Sequence, residues 1–231
     1  MKLNFRSIAV ASALGVVALS AQAGLTIPIN GTVSNSVQKF PDDVLAMMGL
    51  AYVKIEARGT ATPVGTVFET EGQSNVNAFN MPVTKIVIGT KPLIASGSAV
   101  GSALVFSRYD VDTGERFLQL TLANFTIDYG RKQVLADVTP LGGSTAKQQA
   151  IYNFNVATPL GLKYKFPLSI TGHEVLDKLM LTPETKASYT NALELQVFET
   201  PTLDMDFGTL TQDISLKLRS RPVSTKPYVA N

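Results

Sequence analysis

The feature that most constrains the fold is a succession of three alternating apolar runs between Val100 and Val138. The runs cover residues 100–106, 118–127 and 134–138, and two short polar segments separate them. Period-two alternation places the apolar side chains on one face of a β-strand. Segments rich in Asp, Gly and Lys between such runs are typical of tight hairpin turns. The pattern therefore predicts an antiparallel β-meander.

The middle run changes phase near Ala123. Apolar residues occupy even positions up to Leu122 and odd positions from Phe125 onwards. Because side chains alternate strictly along a strand, a one-residue shift indicates a β-bulge or a crossing between sheets. We therefore predict an irregular strand at this point.

The rest of the chain also favours β-structure, with one clear helix. Thr182 is a good N-cap, Pro183 suits the first helical position and Glu184 suits the first turn. The spacing of apolar residues over 172–181 predicts a further short helix.

The predicted fold is mainly β, an antiparallel β-sandwich with one or two short helices covering an open end. It forms a single domain over residues 24–220, followed by a disordered tail at 221–231.

The N-terminus has the three parts of a secretory signal peptide. Lys2 and Arg6 precede an apolar run, and Ala21-Gln22-Ala23 provides a site for cleavage between small residues. The run is about half the length that a bilayer requires, so it predicts a cleaved signal and no transmembrane anchor. We expect a chain that begins at Gly24 and is exported to the periplasm or the extracellular medium.

Composition narrows the possible partners. Lys2 and Arg6 are two of 20 basic residues, which leaves 18 basic against 18 acidic residues in the processed chain. A neutral balance gives no reason to expect nucleic acid as a partner. The chain has no cysteine, so disulfides, thiolate metal sites and a lipidated cysteine are excluded. An exported chain of this length without cysteine favours a bacterial source.

Several acidic residues match parts of known catalytic or metal-binding motifs. Asp112-Thr113-Gly114 matches the triplet of aspartic proteases, but the same residues favour a hairpin turn. Asp110, Asp112 and Glu115 offer oxygen ligands to a calcium ion, although the spacing of a complete calcium loop is missing. Asp204 and Asp206 form a second pair of carboxylates two residues apart.

Catalytic constellations are otherwise missing from the sequence. His173 is the only histidine, and no Gly-x-Ser-x-Gly elbow accompanies it. The Asp206-Phe207-Gly208 string copies the magnesium triplet of kinases without the other kinase motifs. We therefore predict no catalytic residue and no cofactor.

Part of the chain resembles a known family. The run Leu118–Val138, with Asn124-Phe125-Thr126-Ile127-Asp128 and Leu135-Ala136-Asp137-Val138, is followed by Leu181-Thr182 at the start of a helix. About a third of the chain thereby resembles secreted β-rich bacterial proteins and, among them, the haem-transport domain HtaA. The resemblance implies haem as a ligand, but the Ser-Phe-x-x-Tyr segment that supplies the haem-ligating tyrosine of that family has no match here. The residues to test as ligand contacts are therefore Tyr109, Tyr129 and His173.

Three functions remain open. The first is a non-catalytic exported protein that binds a protein partner, or itself, through exposed edge strands. Residues at such an edge would include Lys163 and Pro167, which lie on the polar side of an alternating run. The second function is a carrier of a small ligand such as haem or a lipid. The third is a secreted hydrolase that uses carboxylates such as Asp112, Asp204 and Asp206.

Overall fold

The computed structural model describes residues 25–89, 94–165 and 169–230. The predicted signal peptide, its cleavage site and Pro167 lie outside these ranges. The described residues form fourteen strands, two α-helices and one 3-10 helix, which confirms a mainly β fold. The strands are β1 (Leu25–Pro28), β2 (Asn35–Lys39), β3 (Val53–Gly59), β4 (Thr62–Pro63), β5 (Val67–Phe68), β6 (Asn75–Val76), β7 (Ala78–Pro82), β8 (Lys85–Ile88), β9 (Ile94–Tyr109), β10 (Arg116–Asp128), β11 (Gln133–Pro140), β12 (Ala146–Lys165), β13 (Ser169–Leu181) and β14 (Thr209–Ser215). The helices are α1 (Asp42–Leu50), α2 (Pro183–Ala192) and the 3-10 helix (Thr200–Asp204).

Twelve of the strands form one antiparallel sheet. Its order is β1-β8-β9-β10-β11-β12-β13-β14-β2-β7-β4, and β3 pairs with the second half of β9. The sheet curls until β2 and β7 face β9 and β10 across a common apolar interior. The two layers of the predicted sandwich are thus the two halves of a single curled sheet.

The predicted meander is β9, β10 and β11. The pairing of β10 with both neighbours shifts just after Ala123, where the sequence changes phase. Asn124 occupies the bulge with a φ of 55°, a left-handed conformation that asparagine tolerates better than most residues. The bulge lets Leu122 and Phe125 both face the core.

The helix predicted after Thr182 is confirmed, because the Thr182 hydroxyl accepts a hydrogen bond from the Thr185 amide. The helix predicted over 172–181 is wrong, since these residues belong to β13. An extra residue in β13 at Lys178, which has a φ of 52°, explains the error. It separates the buried Leu176 and Leu179 by three positions, which imitates the spacing of a helix.

The sequence reading missed α1. It begins after Pro41 without a side-chain cap, so the usual signal for a helix start is missing. Its buried residues Val44, Leu45 and Met48 join the core. No helix among the residues described here is long and apolar enough to cross a membrane.

The curled sheet has two different ends. At the helix end lie α1, α2, the 3-10 helix and the β9–β10 turn at residues 110–115. At the far end lie the β10–β11 turn at residues 129–132 and the distal part of the β12–β13 hairpin. The strands β9 and β10 run between the two ends over about 13 residues, or roughly 40 Å.

The C-terminal segment runs back along the sheet without regular secondary structure. The Val223 amide donates to the Asn30 carbonyl, and the Tyr228 amide donates to Asn124 Oδ1. The disordered tail and the limits of the single domain stay predictions.

Candidate functional site

A hydrogen-bonded pair of acidic side chains lies at the far end of the sheet. Tyr129 follows directly on β10, and its hydroxyl donates to Glu174 Oε2 of β13 over 2.5 Å. The ring of Tyr129 also meets that of Phe154 edge to face, with centroids 6.1 Å apart. Glu174 is only 4% exposed and points to the inner side of the sheet. The sheet therefore holds a carboxyl group where few polar partners are available.

A pocket of about 370 Å³ opens over this pair, and we call it the Tyr129 pocket. A register shift between Thr158 and Gly161 places an extra residue in β12, and the bulged segment forms one wall. The opposite wall comes from the start of β9, and an exposed lysine of the β10–β11 turn stands at the rim. The pocket is lined by Ile94, Tyr129, Lys132, Val156, Pro159, Leu160 and Glu174.

The surroundings shift the pKa values of both acidic groups. Burial raises the pKa of the Glu174 carboxyl, and the hydrogen bond from Tyr129 opposes this only in part. Burial raises the pKa of the Tyr129 phenol far above its usual range, and the charge of Glu174 adds to the effect. Tyr129 therefore remains a neutral donor at physiological pH, and Glu174 is the member of the pair that can exchange a proton.

The interior of the sheet next to this site is nearly full. Glu174 pairs across the strands with Gln212, whose side chain donates to Ser36 Oγ over 2.7 Å. Beyond them the enclosed space amounts to about 20 Å³, enough for a single water molecule. A ligand larger than water would therefore not fit inside this part of the sheet.

Glu174→Gln is expected to stabilise the protein at neutral pH by roughly 1 kcal/mol, because the amide avoids the cost of burying a charge. The raised pKa means that the folded state binds more protons than the unfolded state above the ordinary pKa of a glutamate. The stability of the wild type thus falls as the pH rises through this window, and the variant lacks that loss. Urea unfolding at pH 4 and at pH 7.5 measures the difference. If Glu174→Gln is no more stable relative to the wild type at pH 7.5 than at pH 4, the raised pKa of Glu174 would be contradicted.

The structure separates the other two residues proposed as ligand contacts from this pocket. Tyr109 ends β9 at the helix end, roughly 40 Å of strand away from Tyr129. His173 neighbours Glu174 in β13 but points outwards, where its Nδ1 lies 2.8 Å from Asp213 Oδ1. Both side chains of that pair are more than half exposed. Of the three candidates, only Tyr129 lines the Tyr129 pocket.

The acidic residues singled out in the sequence have local partners. The Asp110 carboxylate accepts hydrogen bonds from the amides of Thr113 and Asp112. These bonds stabilise the hairpin turn and lower the pKa of Asp110. Asp204 forms an ion pair with Lys186, and Asp206 accepts from the Gly208 amide. Within the described ranges no three His, Asp or Glu side chains are placed to hold a metal ion. The calcium site at Asp110, Asp112 and Glu115 stays a prediction.

Sequence reasoning missed Glu174 because it assigned residues 172–181 to a helix. Had the segment been assigned to a strand, Glu174 would have shared the face of Leu176, which is buried. A carboxylate at an inward position of a strand is an informative signal, because charged residues are seldom buried without a reason.

The chain was compared with known proteins by sequence and by structure. No family model matches it, and the search of curated proteins finds no match. Among solved structures, the C-terminal domain of HtaA from Corynebacterium glutamicum is 12% identical and gives a TM-score of 0.46, with 80% of this chain and 98% of that chain covered. The haem-binding protein HtaB from the same organism is 11% identical and gives a TM-score of 0.45, with 82% and 96% covered. The structural comparison thus also finds HtaA, which part of the sequence resembles. At this level of similarity, the ligands of HtaA and HtaB say nothing about the ligand of this chain.

Proposed function

We propose that this protein is an exported, non-catalytic binding protein that takes a small amphipathic molecule into the Tyr129 pocket. The observation that carries the proposal is the buried carboxyl of Glu174 at the floor of that pocket. A buried carboxyl with a raised pKa lowers the stability of the fold at neutral pH. Groups that are kept in such surroundings are concentrated at functional sites.

The lining of the pocket indicates the chemistry of the ligand. Ile94, Val156 and Leu160 provide an apolar wall for an apolar body. Lys132 at the rim attracts an acidic group, such as a carboxylate or a phosphate. The Tyr129–Glu174 pair then offers polar contacts at the floor. A fatty acid and a porphyrin that carries propionates both have this combination of properties.

Export completes the proposed function. It is supported by the basic start, the apolar run and the small residues before Gly24. The intact mass of the protein recovered from the exported fraction of its host should correspond to a chain that begins near Gly24. A full-length mass in that fraction would contradict the proposed processing.

Leu160→Asp is expected to abolish binding in the Tyr129 pocket, because a charge would enter its apolar wall. The probes are a fluorescent fatty acid and haemin, each titrated separately so that the lipid and the porphyrin can be distinguished. Tyr129→Phe, which removes one hydroxyl, should weaken binding about fivefold. Fluorescence and haemin absorbance report the two affinities.

The matched control is His173→Ala, which changes the residue next to Glu174 on the outer side of the same strand. It should bind both probes like the wild type. Failure of the wild type to bind either probe would overturn the proposed ligand class. Equal effects of Leu160→Asp and His173→Ala would place binding elsewhere on the protein.

Self-association through an edge strand remains the second candidate function. Among the described residues, the pairing of β12 with β11 ends at Asn153, so the distal half of β12 extends past its neighbour and could pair with a strand of a second copy. Lys163 lies exposed on this segment. If β12 pairs between copies, a Lys163→Pro substitution should lower the oligomeric state measured by light scattering.

A further inference from the structure

Two large apolar side chains project from the loop between α2 and the 3-10 helix. Val197 is 88% exposed and Phe198 is 76% exposed. Isolated apolar residues are common on protein surfaces, but an adjacent exposed pair on an ordered loop indicates an interaction site. The loop lies at the helix end of the sheet.

The loop is held firmly in this position. The Arg108 guanidinium of β9 donates to the carbonyls of Leu193 and Glu194, both over 2.9 Å, and to Glu199 Oε1 over 2.8 Å. Glu199 Oε2 in turn accepts from the Gln196 amide. The Arg108–Glu199 ion pair is largely buried. The two apolar side chains are thus presented on a preorganised support, which lowers the entropy lost on docking.

The charges around this loop are segregated from those at the other end. Segments 40–52, 108–116 and 182–208 form the helix end and contain ten acidic and three basic residues. Segments 128–132, 155–164, 170–174 and 213–221 form the far end and contain six basic and three acidic residues. The ends lie roughly 40 Å apart, several times the Debye length at physiological salt, so neither end neutralises the other.

The far end also exposes apolar side chains among its basic residues. Tyr164 of β12 is 64% exposed, and Leu218 beyond β14 is 75% exposed. Lys217 lies next to Leu218, and Arg131 lies in the β10–β11 turn; both are exposed. The far end is therefore complementary to the helix end in charge, and both ends offer apolar contacts.

We propose that the helix end of one copy docks on the far end of a second copy, with Val197 and Phe198 at the centre of the contact. The two contact surfaces are different, so the association is head-to-tail and can continue into longer chains. Electrostatic attraction brings the ends together, which makes the association sensitive to salt. This contact does not use the distal edge of β12 or the interior of the Tyr129 pocket.

The test uses the processed protein and measures mass by light scattering over a range of concentrations. At about 20 mM salt, the average mass should rise at least about twofold with concentration, and at about 500 mM salt it should return to one chain. Two double variants should each remain monomeric. They are Val197→Ser/Phe198→Ser at the helix end and Arg131→Glu/Lys217→Glu at the far end. Asp112→Lys/Glu115→Lys is a second variant of the helix end, should the first fail to fold. Lys178→Glu/Lys226→Glu is the control, because both residues are exposed and lie between the ends.

Mixing the two monomeric variants distinguishes a head-to-tail contact from a symmetric one. Each variant keeps the end that the other lacks, so an equal mixture should form dimers and no longer chains. A mixture that remains monomeric would overturn the proposal. A wild type that remains monomeric at low salt, or a control as impaired as the two end variants, would overturn it as well.

Discussion

Replacing Phe207 with alanine is expected to lower the free energy of unfolding by about 4 kcal/mol. Phe207 is fully buried where the helix end closes over the sheet. Its ring contacts those of Phe40, Tyr152 and Tyr189, with centroids between 5.8 and 6.4 Å away. Alanine would leave a cavity between elements that are distant in sequence, and no single side chain can fill it. Urea unfolding at neutral pH measures the loss.

Phe198 provides the matched control, since it is the same residue type in an exposed position. Phe198→Ala should change the free energy of unfolding by less than about 0.5 kcal/mol. Phe207→Leu should lie between the two, because it retains part of the buried volume. A loss below about 1 kcal/mol for Phe207→Ala would mean that the surrounding rings collapse into the space.

The Asp206-Phe207-Gly208 string, which matches the magnesium triplet of kinases, has a structural role around Phe207. Asp206 accepts a hydrogen bond from the Gly208 amide, and Gly208 has a φ of 96°. A Cβ atom on Gly208 would lie 2.0 Å from the Lys39 carbonyl oxygen. The three residues therefore form a corner that inserts an aromatic ring into the core. A short string cannot reveal this, because the partner of each residue is distant in sequence.

The meander and α2 could be predicted because their signals are local. One face of β10 and of β11 is apolar at every second position, and the bulge at Asn124 shows as a change in the phase of the pattern. The strand order could not be predicted in this way. The pairing of β14 with β2 joins residues at least 170 positions apart, and neither strand indicates its partner.

The candidate site, like the strand order, could be predicted from the sequence only in part. Tyr129 could be named as a residue to test because of the resemblance to HtaA, although no motif placed it at a site. Its partner Glu174 and the pocket wall at Leu160 could not, because irregular residues in β12 and β13 change which side chains face inwards. Bulges of this kind can be detected only where the sequence alternates clearly on both sides of them.

Asp137→Ala is expected to lower the free energy of unfolding by about 3 kcal/mol. Asp137 is buried beside the bulge, and its two carboxylate oxygens accept from the side chains of Asn124, Lys147 and Gln148 and from the Gln148 amide. Asn124 also donates to the Tyr228 carbonyl, so the network connects the bulge to the C-terminal segment. Alanine would leave the buried amide of Asn124 without this acceptor. Asp112→Ala, which changes an exposed aspartate, is the control and should have little effect.

The pH dependence of the Asp137 contribution follows from the direction of its pKa shift. Burial disfavours the charged carboxylate, but the hydrogen bonds from Asn124, Lys147 and Gln148 outweigh it, so the pKa of Asp137 is lowered. The stabilisation is therefore present above the ordinary pKa of an aspartate and is lost as the pH falls through the lower pKa of the folded state. The difference in stability between the wild type and Asp137→Asn should be constant from pH 7 to pH 5 and should shrink below about pH 4. A difference that stays constant down to pH 2.5 would show that Asp137 stabilises the bulge by its shape and not by its charge.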